Sequence, residues 1–153
     1  MNLKMFTDGA ARGNPGEAGI GAILYDDKGT VLEEYCRYLG CATNNAAEYQ
    51  ALIAGLTIAK KHNPEFLEIY MDSELLVHQL SGKYRVKNEH LAAFHAVAKG
   101  LLSGFRKVRI AHVPREKNKE ADRLANKAID HKVVPADDAA NKPSPGQLDL
   151  FFL

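Results

Sequence analysis

The sequence predicts an α/β protein built on one five-stranded mixed sheet flanked by helices, and three observations carry that prediction. Three short β-prone runs come first, in succession, before any helical pattern begins. Helical and β-prone stretches then alternate in the order β-β-β-α-β-α-α-β-α, so hairpins make the early strands antiparallel and helical crossovers make the later ones parallel. Hydrophobic residues make up 46% and charged residues 25% of the 153-residue chain, the balance of one ordinary folded domain.

Residues 3–7 form a short apolar run bounded by turn residues, which suits a strand buried on both faces with Asp8 at its C-terminal end. The glycine-dense stretch that follows, to Gly16, is expected to be a loop. Residues 19–25 and 30–39 read as two strands of a hairpin around Asp26-Asp27-Lys28-Gly29, with glycine where a tight reversal needs positive φ. From Ala46 to Ala59 strong helix formers dominate, and Asn63-Pro64 ends the run. Residues 66–71 are a fourth strand ending at Asp72, residues 73–80 a short helix, and residues 91–102 a longer one after the basic connection 83–89. Residues 107–113 give the fifth strand. A final helix over 117–130 turns Ala121, Leu124, Ala125, Ala128 and Ile129 inward. Residues 1–130 are therefore expected to be one folded domain, and residues 131–153 a flexible linker and tail, rich in Pro, Asp, Ala, Asn, Lys and Ser.

Composition narrows the function classes. The longest apolar runs are too short to span a bilayer, and the N-terminus lacks the basic, apolar and small-residue order of a secretory signal. Cys36 and Cys41, the two cysteines, offer no zinc pattern and are expected to be reduced thiols in a cytoplasmic, monomeric protein. Net charge is +1, so attraction to a polyanion must be local, from Arg12, Lys83, Arg85, Lys87, Arg115, Lys117, Lys119 and Arg123.

Four carboxylates stand out. Asp8 and Asp72 close predicted strands, although Asp8-Gly9 also suits a turn and Asp72-Ser73 a helix start. Glu48 follows Asn45 by three residues, a capping-box spacing, yet it shares a helix face with Leu52, Gly55, Leu56 and Ala59 that should meet the sheet. Asp122 reads as a solvated helix residue or as the border of the buried stripe through Ala125 and Ile129. Taken together, two acids at strand ends and two on helix faces turned toward them can converge. A divalent cation is then their natural counter-charge, and hard oxygen ligands suit Mg²⁺ or Mn²⁺. Two such ions activate a water and stabilise the leaving oxygen of a phosphoryl displacement without any side-chain nucleophile.

At this point the motifs resemble a known family. Thr7-Asp8-Gly9 with Gly13-Asn14-Pro15-Gly16, then Thr43-Asn44-Asn45-Ala46-Ala47-Glu48, then Met71-Asp72-Ser73, then residues 118–125 resemble the ordered signature of type 1 ribonuclease H. The resemblance spans roughly residues 1–130. It implies the ribonuclease H-like fold and an endonuclease that hydrolyses the RNA strand of RNA/DNA hybrids with two metal ions, leaving 5′-phosphate and 3′-hydroxyl ends. By the same resemblance Asp8, Glu48, Asp72 and Asp122 hold the metal, while Asn14, Thr43, Asn44 and Asn45 hold the nucleic-acid backbones. Two departures matter. The basic protrusion of many bacterial members is reduced here to residues 83–89, and the histidine-bearing loop before the last aspartate is shortened to residues 113–118. That short loop resembles members in which an arginine stands there, so Arg115 is favoured over His112, which falls inside the predicted strand. The alternatives are a non-catalytic binding module of this fold and a nuclease that also takes double-stranded RNA.

A second resemblance lies at the end of the chain. Gln147-Leu148-Asp149-Leu150-Phe151, hung on a Pro-Ser-Pro-Gly tether, resembles the short peptide by which bacterial replication and repair proteins dock on the sliding clamp. It implies that Gln147, Leu148, Leu150 and Phe151 contact that partner. The competing reading is that this apolar segment packs back on its own domain.

Overall fold

The computed structural model describes residues 1–136. In chain order these form β1 (Asn2–Gly13), β2 (Gly16–Tyr25), β3 (Val31–Ala42), α1 (Asn44–Lys61), β4 (Phe66–Met71), α2 (Glu74–Leu80), α3 (Glu89–Leu102), β5 (Val108–His112), a short 3₁₀ turn (Arg115–Lys117) and α4 (Lys119–His131). The predicted element order is the observed one. The sheet is five-stranded in the order β3-β2-β1-β4-β5, with β1, β2 and β3 antiparallel and β1, β4 and β5 parallel.

Alternation along the strands sorts their side chains onto two faces. Leu3 and Met5 of β1 with Leu67, Ile69 and Met71 of β4 are buried in one core with Leu52 and Leu56 of α1, Leu76 of α2, and Phe94 and Ala98 of α3. Helix α4 covers the opposite face, over β2, β3 and the far part of β1. Its inward residues are the five predicted, Ala121, Leu124, Ala125, Ala128 and Ile129, and all are buried.

Several element ends shift by a few residues, and one strand extension and two helix caps bear on the site. First, β1 does not stop at Thr7: Gly9, Ala10 and Ala11 continue it, paired with Ile20, Gly19 and Ala18 of β2, and only Asn14 and Pro15 separate the two strands. Gly9, which reads as a loop residue, is a strand residue that α1 crowds, with the Ala47 carbonyl carbon 2.3 Å from where a Cβ would lie. Asp8 therefore lies within β1, but pairing with β4 ends at Phe6 opposite Tyr70, so Asp8 still sits just past the parallel part of the sheet. Second, Thr43 caps α1, its Oγ1 accepting from the Ala46 N–H at 3.2 Å, so the capping box suggested by Asn45 and Glu48 is not formed. Third, Ser73 caps α2 through a 3.2 Å bond from the Leu76 N–H, which leaves Asp72 without a capping role. The hairpin turn is as read, with the Asp26 carboxylate accepting from the N–H groups of Lys28 and Thr30 at 2.9 Å.

After α4, the Val133 carbonyl accepts from the Tyr38 N–H at 2.8 Å, tying the chain to the outer edge of β3. The C-terminal segment with Gln147, Leu148, Leu150 and Phe151 lies outside the described residues.

Candidate active site

Two close helix approaches build the site, one from each face of the sheet and each admitted by a glycine. On one face α1 presses on Gly9, where an added Cβ would lie 2.3 Å from the Ala47 carbonyl carbon and 2.4 Å from the Glu48 nitrogen. That contact brings Glu48 to β1, and its Oε1 accepts from the Gly9 N–H at 2.6 Å. On the other face α4 presses on Gly21, where a Cβ would lie 2.4 Å from the Ala121 carbonyl oxygen. Gly21 is the β2 partner of Asp8. The next residue of α4, Asp122, is thereby set beside Asp8, close enough to hydrogen-bond to it. The glycines matter for their missing side chains, since a carbon at either place would push a helix and its carboxylate away.

Asp72, at the end of β4, completes the group: one carboxylate oxygen each from Asp8, Glu48 and Asp72 lie within 4.8 Å of one another. With Asp122 they line an open cleft of about 300 Å³, together with Gly9, Ala10, Ala11, Asn44, Ser73 and Arg115. Asp8 and Glu48 are 6% and 4% exposed, unusual for two acids in contact. Burial raises the Asp8 carboxyl far above the ordinary carboxylate range, and the neighbouring Glu48, Asp72 and Asp122 raise it further. Burial also raises Glu48, against the opposing pull of its hydrogen bond to Asp8, the Gly9 N–H and the Arg115 charge. Burial and mutual repulsion thus disfavour two charges on this pair, a balance that a divalent cation would reverse.

Asp72 and Asp122 are held differently, by side-chain amides. The Asn118 Nδ2 donates to Asp72 Oδ2 at 3.0 Å and to the Thr7 carbonyl at 3.0 Å. The Asn126 Nδ2 donates to Asp122 Oδ1 at 3.3 Å and to the Asp122 carbonyl at 3.0 Å. Neither amide was singled out from the sequence for a role. The available signal was their spacing, since Asn118, Asp122 and Asn126 recur every fourth residue and so share one helical stripe.

The remaining predicted residues fall around the mouth of this cleft. Asn14 and Asn44 meet directly, the Asn14 Oδ1 accepting from the Asn44 N–H at 3.0 Å, and Thr43, Asn44 and Asn45 occupy the start of α1. Arg115 reaches the cleft from the 3₁₀ turn, whereas His112 is the exposed last residue of β5 and does not line it. Two cations counted as candidates for polyanion attraction are engaged within the protein. Arg12 pairs with Asp130 at 2.7 Å, and Arg123 with Glu120 at 2.7 Å and Glu34 at 3.3 Å.

The donor set fits a divalent metal. Carboxylate oxygens converge, two of them buried, and of the residues lining the cleft only Arg115 carries positive charge. Oxygen-only ligation suits Mg²⁺ or Mn²⁺ and not a thiolate-seeking ion.

Comparison with known proteins agrees with this architecture. Residues 6–128 match the model of a family described as reverse transcriptase-like. The bifunctional protein Rv2228c of Mycobacterium tuberculosis is 43% identical over 149 residues, 97% of this chain, but the chain spans only 40% of that relative's length. Among solved structures, RNase H1 of the halophilic archaeon Halobacterium salinarum is 40% identical with a TM-score of 0.83, covering 86% of this chain and 99% of its own. LC11-RNase H1, isolated from compost and solved in complex with RNA/DNA hybrid, is 41% identical with a TM-score of 0.81, covering 86% and 99%. The chain belongs to this reverse transcriptase-like family and carries its ribonuclease H-like domain.

Proposed function

We propose that the protein is an endoribonuclease that hydrolyses the RNA strand of RNA/DNA hybrids, leaving 5′-phosphate and 3′-hydroxyl ends. The observation that carries this reading is the convergence of Asp8, Glu48 and Asp72, with Asp122 beside them, in an open and strongly acidic cleft. The hybrid complex of LC11-RNase H1 supports the choice of substrate.

In this reading Asp8, Glu48, Asp72 and Asp122 hold two Mg²⁺ or Mn²⁺ ions, whose chemistry when bound is to activate water and offset charge on the scissile phosphate. The chain's own residues supply the rest. Asp8 and Glu48, both ionised beside the cation, would form the central ligand pair. Thr43, Asn44 and Asn45 present polar side chains at the positive end of α1, where phosphate is favoured, and Asn14 braces that end through the Asn44 N–H. Side-chain amides there suit 2′-hydroxyls across the shallow groove of an A-like duplex. Arg115, at the rim, is placed to meet the phosphate or the departing product. A purely binding module of this fold is disfavoured, because buried negative charge beside phosphate weakens binding unless it serves a metal.

The test is a cleavage assay on matched hybrid, double-stranded RNA, double-stranded DNA and single-stranded RNA, in Mg²⁺, in Mn²⁺ and in chelator. Cleavage of hybrid alone, abolished by chelator, supports the reading; cleavage of double-stranded RNA as well widens the substrate class; no cleavage of hybrid overturns it.

A partner is also proposed from sequence alone: the segment around Gln147, Leu148, Leu150 and Phe151 docks on a bacterial sliding clamp while the enzyme acts as a monomer. Docking of this kind would raise the local concentration of the enzyme at clamp-bound hybrid. Calorimetry with the isolated peptide and a bacterial clamp checks this, and absence of binding contradicts it.

A further inference from the structure

Asn118 combines three features that its packing alone does not explain. It is 1% exposed, yet its Oδ1 has no hydrogen-bond partner among the described residues. It stands at the N-cap of α4, where asparagine is among the best capping residues, and makes no side-chain cap. Its amide nitrogen is turned instead into the sheet, to Thr7 O and Asp72 Oδ2. Both neighbours are acceptors, so the nitrogen must be the atom facing them and the orientation of the amide is fixed. Leaving a buried carbonyl unpaired and a helix end uncapped are each destabilising. A residue serving stability alone would do neither.

What the arrangement achieves is a junction between separate elements. Thr7 immediately precedes Asp8 on β1, Asp72 directly follows β4, and the Asn118 carbonyl accepts from the Asp122 N–H at 3.1 Å. One buried residue is thus tied by its side chain and backbone to three points that carry or adjoin three of the four carboxylates. Such outer partners of ligating carboxylates fix the orientation of the ligand.

We propose that Asn118 is a positioning residue of the metal site, holding the Asp72 carboxylate in register with Asp8 and Asp122 at a cost to the local stability of α4. This rests on the metal-dependent reading above and names a further residue that serves it.

The experiment is calorimetric titration of Mn²⁺ into full-length wild type, Asn118→Ala and Ile129→Ala, with melting temperatures of the metal-free proteins. Ile129 is buried at the far end of the same helix, so its truncation loosens α4 without touching the carboxylates. The expected result is a dissociation constant raised about tenfold in Asn118→Ala and unchanged in Ile129→Ala, although Ile129→Ala melts lower. If Asn118→Ala fails to fold, Asn118→Ser, which can cap α4 but is too short to bridge both acceptors, must show the same weakening. Affinity within twofold of wild type in the folded Asn118 variant overturns the proposal, as does equal weakening in Ile129→Ala. Wild type that binds no Mn²⁺ would overturn the metal reading itself, and this proposal with it.

Discussion

The four acidic residues of the cleft form two unlike pairs. Asp8 and Glu48 are buried, touch each other, and are placed by backbone: a glycine on β1 admits α1, and the Gly9 N–H receives Glu48. Asp72 and Asp122 are less buried and are placed by the amides of Asn118 and Asn126. The first pair is costly to assemble without a cation, since burial favours its protonated form. The second pair is held ready from outside. In the proposed reading the contrast separates two tasks, storing the demand for a counter-charge and aiming the ligands that complete the shell of the cation.

The sharpest way to break the comparison is to neutralise the buried pair. Asp8→Asn is expected to lower hybrid cleavage by a factor on the order of 10³ or more, while the metal-free protein melts at or above the wild-type temperature because a carboxyl buried beside other acids has been removed. Single-turnover kinetics and a thermal melt read the two halves. Loss of activity with a large fall in melting temperature would mean that Asp8 serves the fold.

Next in size is the backbone contact. Gly21→Ala places a carbon 2.4 Å from the Ala121 carbonyl, so α4 must shift, at about 3 kcal/mol of stability, with Asp122 displaced from Asp8. Urea unfolding checks the energy. An unchanged midpoint would show that the close approach is not needed.

Arg115→Ala should lower turnover roughly tenfold, and His112→Ala less than twofold, because Arg115 lines the cleft and His112 does not. A larger effect at His112, with its fold intact by circular dichroism, would reverse the assignment.

The same pair sets a pH dependence. Asp8 and Glu48 have folded pKa values above their unfolded ones, so the metal-free native state binds more protons than the unfolded chain over that interval. Their contribution is complete below the unfolded values, near pH 4, and is lost as pH rises through the raised folded ones. The metal-free melting temperature is thus expected to fall steadily as pH rises above about 5, with a shallower fall in Asp8→Asn. Equal slopes would place the titration elsewhere.

The pattern of legibility follows the same division. Element order, the five inward positions of α4 and the turn at Asp26 were readable because hydrophobic period and turn chemistry are local signals. The continuation of β1 through Gly9, Ala10 and Ala11 was not, since small residues signal a loop unless the helix pressing on them is known. Asp8, Glu48, Asp72 and Asp122 could be proposed as a group from their places on predicted elements and from a family resemblance. Whether Glu48 and Asp72 capped helices could not be decided until Thr43 and Ser73 were seen to do so. The support from Asn118 joins Thr7 and Asp72 to a residue far along the chain, and no local pattern records it.

The central claim is that the buried pair awaits a divalent ion, and the most direct measurement is the melting temperature of wild type and Asp8→Asn with and without Mg²⁺ or Mn²⁺. At about ten times the dissociation constant, linkage gives about 1.4 kcal/mol, or a rise of about 4 °C in wild type, and Asp8→Asn should show little or none. No rise in wild type with either ion, or an equal rise in Asp8→Asn, would contradict the account.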